Sequence, residues 1–256
     1  IATIISQLVS FLVILFKVLK NERVIKITSE YLVPKFLFFK NIFFQSMPIS
    51  VSICGYALAA AIIFTYVGQS GEYAVAGYGV GTRIEQVVLL PILGINTAII
   101  SIIAQNYGAN NLVRIKETYF TAIKYAFIIM ITAGTLVFLS ASVITSFFSN
   151  DPEVIEYGKR YLKISAFVLP AYPVFFLSNG FFMALKKSEN AMISNFFRNV
   201  LNPIVVFYIA KYINASFETF FWLWVGINWF FSISYFFIII YYFKLKLNKS
   251  STVVHP

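Results

Sequence analysis

The sequence predicts an all-α, polytopic membrane protein with seven transmembrane helices. Three observations carry that prediction. Hydrophobic residues make up 59% of the 256 and charged residues 12%, against about 45–50% and about 25% in an ordinary soluble domain. Charge-free runs recur along the chain at lengths near the roughly 20 residues that cross about 30 Å of hydrocarbon. The joints between these runs carry helix caps and turns. Spanning β-strands would instead need short segments of alternating polarity.

Taken in order, the charge-free runs are 1–16, 41–71, 86–113, 125–150, 164–185 and 219–243. A further run, 190–210, is broken only by Arg198. The first run opens on Ile1 rather than Met, in mid-helix, which reads as a segment of a longer protein. The most polar stretch, 19–40, reads as a linker between helical units. Gly68-Gln69-Ser70-Gly71 reads as a turn, and Gly108-Ala109-Asn110-Asn111 as a helix end with a loop. Ser149-Asn150-Asp151-Pro152-Glu153 places a capping Asp before a proline at the first helical position. Pro48, Pro91, Pro170 and Pro173 are the expected kinks, the last two close enough to break a helix. Trp222, Trp224 and Trp229 near the start of the last run read as an outer-interface belt.

Lys and Arg outnumber Asp and Glu 20 to 10. With alternating crossings, thirteen of the cations fall on the side of the 17–40 segment and four on the other. The excess is therefore a topology signal rather than a nucleic-acid footprint, and it makes the first side, with the C-terminus, cytoplasmic. A single Cys54 and a single His255 exclude a disulfide framework and a histidine-rich metal site. No metal or cofactor is expected. No phosphate loop or nucleophile–base pair appears either, so an enzyme is not expected.

Polar groups inside the spans mark candidate transport or cavity positions. Asn195, Arg198, Asn199 and Asn202 follow i, i+3, i+4, i+7 spacing and share one face of an ideal α-helix. That face is expected to line a cavity or to make interhelical hydrogen bonds, with Arg198 reaching toward the cytoplasmic side. Gly77, Gly79 and Gly81 precede Arg83, Glu85 and Gln86, and then Asn96, in the third helix. Glu85 is the one acid that could lie well within a span, although its depth falls near the outer boundary. Arg83 and Glu85, two apart, point to different faces. Asn179 adds a polar group beside the Pro170–Pro173 break.

Several stretches together resemble the multidrug and toxic compound extrusion (MATE) family. Tyr78-Gly79-Val80-Gly81-Thr82-Arg83-Ile84-Glu85, followed by Pro91, Gly94, Asn96 and Ala98, and by Gln105-Asn106-Tyr107-Gly108-Ala109, is similar to the second helix of that family's C-terminal lobe. Asp151-Pro152-Glu153-Val154-Ile155 with Tyr161-Leu162 resembles the start of its fourth helix. Gly180-Phe181-Phe182-Met183-Ala184-Leu185, with Asn190-Ala191 and Arg198-Asn199, resembles the passage into the fifth. Ile1-Ala2-Thr3-Ile4-Ile5-Ser6-Gln7 resembles the last N-lobe helix.

The resemblance implies twelve helices in two six-helix lobes. On that reading 1–18 is the last N-lobe helix, 19–40 the cytoplasmic inter-lobe linker, 41–245 the C-lobe and 246–256 a cytoplasmic tail. It further implies a bacterial inner-membrane antiporter that exports small organic, often cationic, compounds in exchange for H+ or Na+. Its partners would be the lipid bilayer, those substrates and the N-terminal lobe of the same protein. One branch of the family uses acids in the first and fourth C-lobe helices, yet 41–67 and 161–185 hold none within the membrane. The expectation is then a main coupling acid in the N-lobe, with Glu85 auxiliary. A lipid-linked glycan flippase of related architecture is the alternative, and it would favour a more basic cavity.

Overall fold

The computed structural model describes residues 2–20 and 36–251. The expected 19–40 linker lies mostly outside them, as do the tail beyond 251 and the side chain of Pro48. Every described element is helical, and the fold class matches the prediction. The elements are α1 (Ala2–Lys20), α2 (Phe36–Gly68), α3 (Glu72–Gly108), α4 (Leu112–Ser146), α5 (Pro152–Ser165), α6 (Tyr172–Ala184), α7 (Ser188–Phe196), α8 (Asn202–Tyr212) and α9 (Phe217–Ser251). A 3₁₀ turn, Leu169–Ala171, joins α5 to α6, and a π-turn, Phe197–Leu201, joins α7 to α8. With each joined pair counted as one rod, the described residues make seven helical rods.

The chain divides into two compact units, residues 1–46 and 47–256. The first holds α1 and the start of α2. Most of the described side chains of α1 are apolar, and Ile4, Leu8, Phe11 and Phe16 are exposed. An apolar surface of this kind suits lipid, not water.

The second unit holds the rest. Four of its helices are long and apolar enough to cross a membrane: α3, α4, the α5–α6 rod and α9. In the α5–α6 rod 72% of the apolar window is buried, against 17%, 22% and 28% in the other three. The α5–α6 rod is therefore the centre of the unit and the others surround it. The core runs through Ile92 and Ile103 of α3, Tyr119 and Met130 of α4, Leu162, Leu177 and Phe181 of the central rod, and Phe220 and Ile239 of α9.

Local sequence explains the joints. Gly71 sits at φ 100 ahead of α3, a conformation that glycine adopts without strain. Asn110 and Asn214 take positive φ just past α3 and α8. In each case a backbone bond then closes the helix end, from Asn111 to Asn106 at 2.9 Å and from Ala215 to Ala210 at 2.8 Å. Asp151 caps α5 by accepting from the Glu153 and Val154 amides at 2.9 and 3.4 Å, with Pro152 at the first helical position.

The central rod breaks between Ser165 and Tyr172, beside Pro170 and Pro173. Ala171 N–H bonds back only to Val168, three residues away, so the Phe167 carbonyl loses its usual helical donor. The indole N–H of Trp229 donates to that carbonyl at 2.8 Å, and Ser232 donates to the Ala171 carbonyl at 3.2 Å. Within hydrocarbon each such carbonyl must find a partner, and α9 supplies both. Trp222 is exposed as an interface residue would be, whereas half-buried Trp229 makes this bond to the central rod and Trp224 lines a cavity described below. By contrast α3 continues as one helix through Pro91.

The π-turn corrects the expected polar stripe. Pro203 has no N–H for the Asn199 carbonyl, and Asn202 N–H reaches back five residues to Phe197. The wider turn takes up an extra residue and rotates everything beyond it by roughly 100° relative to a continuous α-helix. Asn195, Arg198, Asn199 and Asn202 therefore do not form one face.

Small residues set the spacing of α3 against the central rod. A Cβ on Gly77 would come within 2.7 Å of the Gly158 amide nitrogen and 2.8 Å of the Val154 carbonyl. A Cβ on Gly81 would run into the Tyr161 ring. Close approach of this kind is the usual role of glycine between membrane helices.

Candidate functional site

The close approach at Gly81 has a chemical result one turn further along α3. The Tyr161 ring presses against the glycine, and its hydroxyl donates to Oε2 of Glu85. Tyr172, at the start of α6, donates to Oε1 of the same carboxylate at 2.5 Å. Each oxygen of Glu85 is thus held by one phenol, from helices on either side of the proline break. Tyr78 stacks edge-on against Tyr161, with centroids 4.9 Å apart.

Glu85 opens on a cavity of about 110 Å³. Gln86, Thr82, Tyr56, Trp224 and Asn199 contribute to its wall, and so does Arg198. Arg198 does not extend toward the helix end. Its guanidinium lies 4.2 Å from the Phe175 ring centre and 4.9 Å from that of Tyr172. Its Nε donates to Asn228 Oδ1 at 3.2 Å, and the Asn228 amide donates in turn to the Trp224 carbonyl at 2.9 Å. Tyr172 therefore stands between the two charges, its hydroxyl on Glu85 and its ring under Arg198. Among the described residues no ion pair joins Glu85 to Arg198.

Asn179 and Asn195 form a separate network. The Asn179 amide donates to Asn195 Oδ1 at 3.2 Å and its oxygen accepts from Tyr235 at 3.2 Å. This network borders a larger cavity of about 400 Å³ between α6, the α7–π segment and α9, where Arg198 is again part of the wall.

The sequence candidates thus fall into groups. Glu85, Gln86, Arg198 and Asn199 share one cavity, while Asn179 and Asn195 pair beside the other. Arg83 is exposed on α3, lines neither cavity and makes no ion pair among the described residues. Asn96 packs against Gly180, its Oδ1 buried and without a partner. Asn202 is fully buried, and neither side-chain amide atom has a partner.

Sequence reasoning missed the residues that hold the charges: Tyr161, Tyr172 and Asn228. A signal for the tyrosines existed. They lie eleven residues apart, about three turns of an unbroken helix, a spacing that would place both on one side. Among the described residues no group of three His, Cys, Asp or Glu could hold a metal ion.

The family model for MatE matches residues 48–208, more than half of the chain. The chain belongs to the MATE family. It is 24% identical over 225 residues to a probable multidrug resistance protein, YpnP, of Bacillus subtilis, covering 88% of this chain and 48% of that protein. Two solved structures share the fold. A MOP superfamily transporter from Pyrococcus furiosus is 23% identical, with a TM-score of 0.84, over 96% of this chain and 55% of that one. A MATE protein in complex with MaL6 is 21% identical, with a TM-score of 0.85, over 98% and 56%. The chain spans about half the length of the curated relatives it matches.

Proposed function

We propose that this protein is a secondary transporter that exports small organic, often cationic, compounds in exchange for H+ or Na+. On this reading residues 41–245 form the C-terminal lobe and 1–18 the last helix of the N-terminal lobe. Residues 19–40 are the cytoplasmic linker and 246–256 a cytoplasmic tail. The setting is the bacterial inner membrane, and the two lobes alternate access to a central cavity. Glu85 serves as an auxiliary proton or cation site, with the main coupling acid in the N-terminal lobe.

One observation carries the reading for this half. A carboxylate inside a membrane-spanning bundle faces a cavity and is held by two phenol donors, with no ion pair among the described residues. Ionisable groups in that setting mark ion pathways. Because the phenols come from both sides of a helix break, cation or proton occupancy at Glu85 bears directly on α5 and α6. The B. subtilis relative is named a probable multidrug resistance protein, and a Staphylococcus haemolyticus relative a multidrug export protein.

The test is dye efflux from everted vesicles with Glu85→Gln, with and without a sodium gradient. Reduced but persistent gradient-driven efflux is expected. Complete loss of coupling at normal expression would overturn the auxiliary role, and wild-type efflux indifferent to both gradients would overturn antiport itself.

A further inference from the structure

Arg198 is a permanent charge set among aromatic rings, and a guanidinium carries five N–H donors. One of them, on Nε, is taken by Asn228, and the Tyr172 hydroxyl is a second hydrogen-bond partner of the guanidinium. Tyr172, Glu85 and Tyr56 are the titratable groups within electrostatic reach. Glu85, however, already receives two phenol hydrogen bonds and forms no ion pair with the guanidinium.

On its other side Arg198 borders the cavity of about 400 Å³. Among the described residues no acid lines that cavity, and Arg198 is the one charged group in its wall. The walls are rings, with Phe175, Phe182, Phe230, Phe231 and Tyr235 among them. Hydrogen-bonding side chains are also present in Asn190, Ser194 and Ser234. A planar aromatic body matches the rings, and a carboxylate or sulfonate matches the fork of the guanidinium. A cation would meet Arg198 with no acid in the wall to offset the repulsion.

We propose that this cavity binds a planar organic anion, an aromatic carboxylate or sulfonate, with its acid group on Arg198 and its ring between α6 and α9. Arg198 thus borders both cavities, with Glu85 facing it only in the smaller one. The proposal rests on the export reading only in treating the anion as cargo; the binding itself does not depend on it.

The test uses the protein in phosphatidylcholine nanodiscs, with empty nanodiscs as the partition blank. Equilibrium dialysis compares 2-naphthoate, neutral 2-naphthamide and 2-naphthylmethylammonium. Naphthoate is expected to bind at least about tenfold more tightly than the amide, the scale of a hydrogen bond to a charged group, with the ammonium weakest. Arg198→Gln should abolish that preference, and Arg198→Lys should restore part of it. Because Arg198→Gln could fail for structural reasons, Ser234→Trp provides a second variant that fills the cavity and leaves the guanidinium intact. It should also abolish naphthoate binding.

Naphthoate binding no tighter than the amide, or a preference that persists in Arg198→Gln, overturns the proposal. So does displacement of naphthoate by phosphatidylglycerol added to the nanodiscs, since the occupant would then be a lipid headgroup. Arg198-dependent naphthoate binding in a protein that shows no efflux supports this proposal and defeats the export reading alone.

Discussion

Adding one methyl group at Gly81 tests how the site is built. The Cβ of alanine there would overlap Cδ1 of Tyr161 and lie within 2.8 Å of Cε1. These atoms belong to a rigid, buried ring and not to the tip of a flexible chain, so the ring itself must move. Overpacking of this kind costs about 1–3 kcal/mol. Moving the ring also takes its hydroxyl off Glu85, and a hydrogen bond to a charged group is worth about 1.5–3 kcal/mol. Gly81→Ala should therefore destabilise the protein by about 2.5–6 kcal/mol. Gly79 supplies the control on the same helix, where a Cβ meets nothing within 4 Å. At about 2–4 °C per kcal/mol for a chain of this size, Gly81→Ala should melt roughly 5–24 °C below Gly79→Ala in dodecyl maltoside. Tyr161→Ala in the Gly81→Ala background relieves the overlap, so the two losses should combine to less than their sum. Equal melting temperatures for the two alanine variants, or strict additivity in the double variant, would refute the contact.

The remaining expectations are briefer. Trp229→Phe strands the Phe167 carbonyl in apolar surroundings and should cost about 1–3 kcal/mol. Trp222→Phe, at an exposed residue with no such bond, should cost much less, and matching losses in thermal melts would count against the bond. Asn202→Leu replaces a fully buried amide without partners by an apolar side chain of similar size. It should raise the melting temperature by about 2–8 °C, and a fall would mean that the amide is satisfied in solution.

Much of the architecture was legible because it is written locally. Seven apolar runs became seven rods, and the Asp151-Pro152 pair capped α5 where the cap was expected. The Pro170–Pro173 segment broke its helix for the simple reason that proline cannot donate a backbone bond. What was not legible depends on contacts between distant segments. The polar stripe was laid out on an unbroken α-helix, and Pro203 with its π-turn turned Asn202 away from it. The two phenols on Glu85 come from positions 76 and 87 residues along the chain, and only the packing of α3 on α5 brings the first of them near. Arg198 was expected to reach toward the cytoplasmic side, yet a triad of rings and Asn228 hold it inward.

The broken central rod has a mechanical consequence. Opening its corner would draw the Phe167 carbonyl away from Trp229 and the Ala171 carbonyl away from Ser232, leaving both without these donors in a medium that offers no replacement. The bend therefore acts as a clamped elbow and not as a joint. The same two bonds tie α9 to the segment between α5 and α6, whose ends carry the two phenols on Glu85.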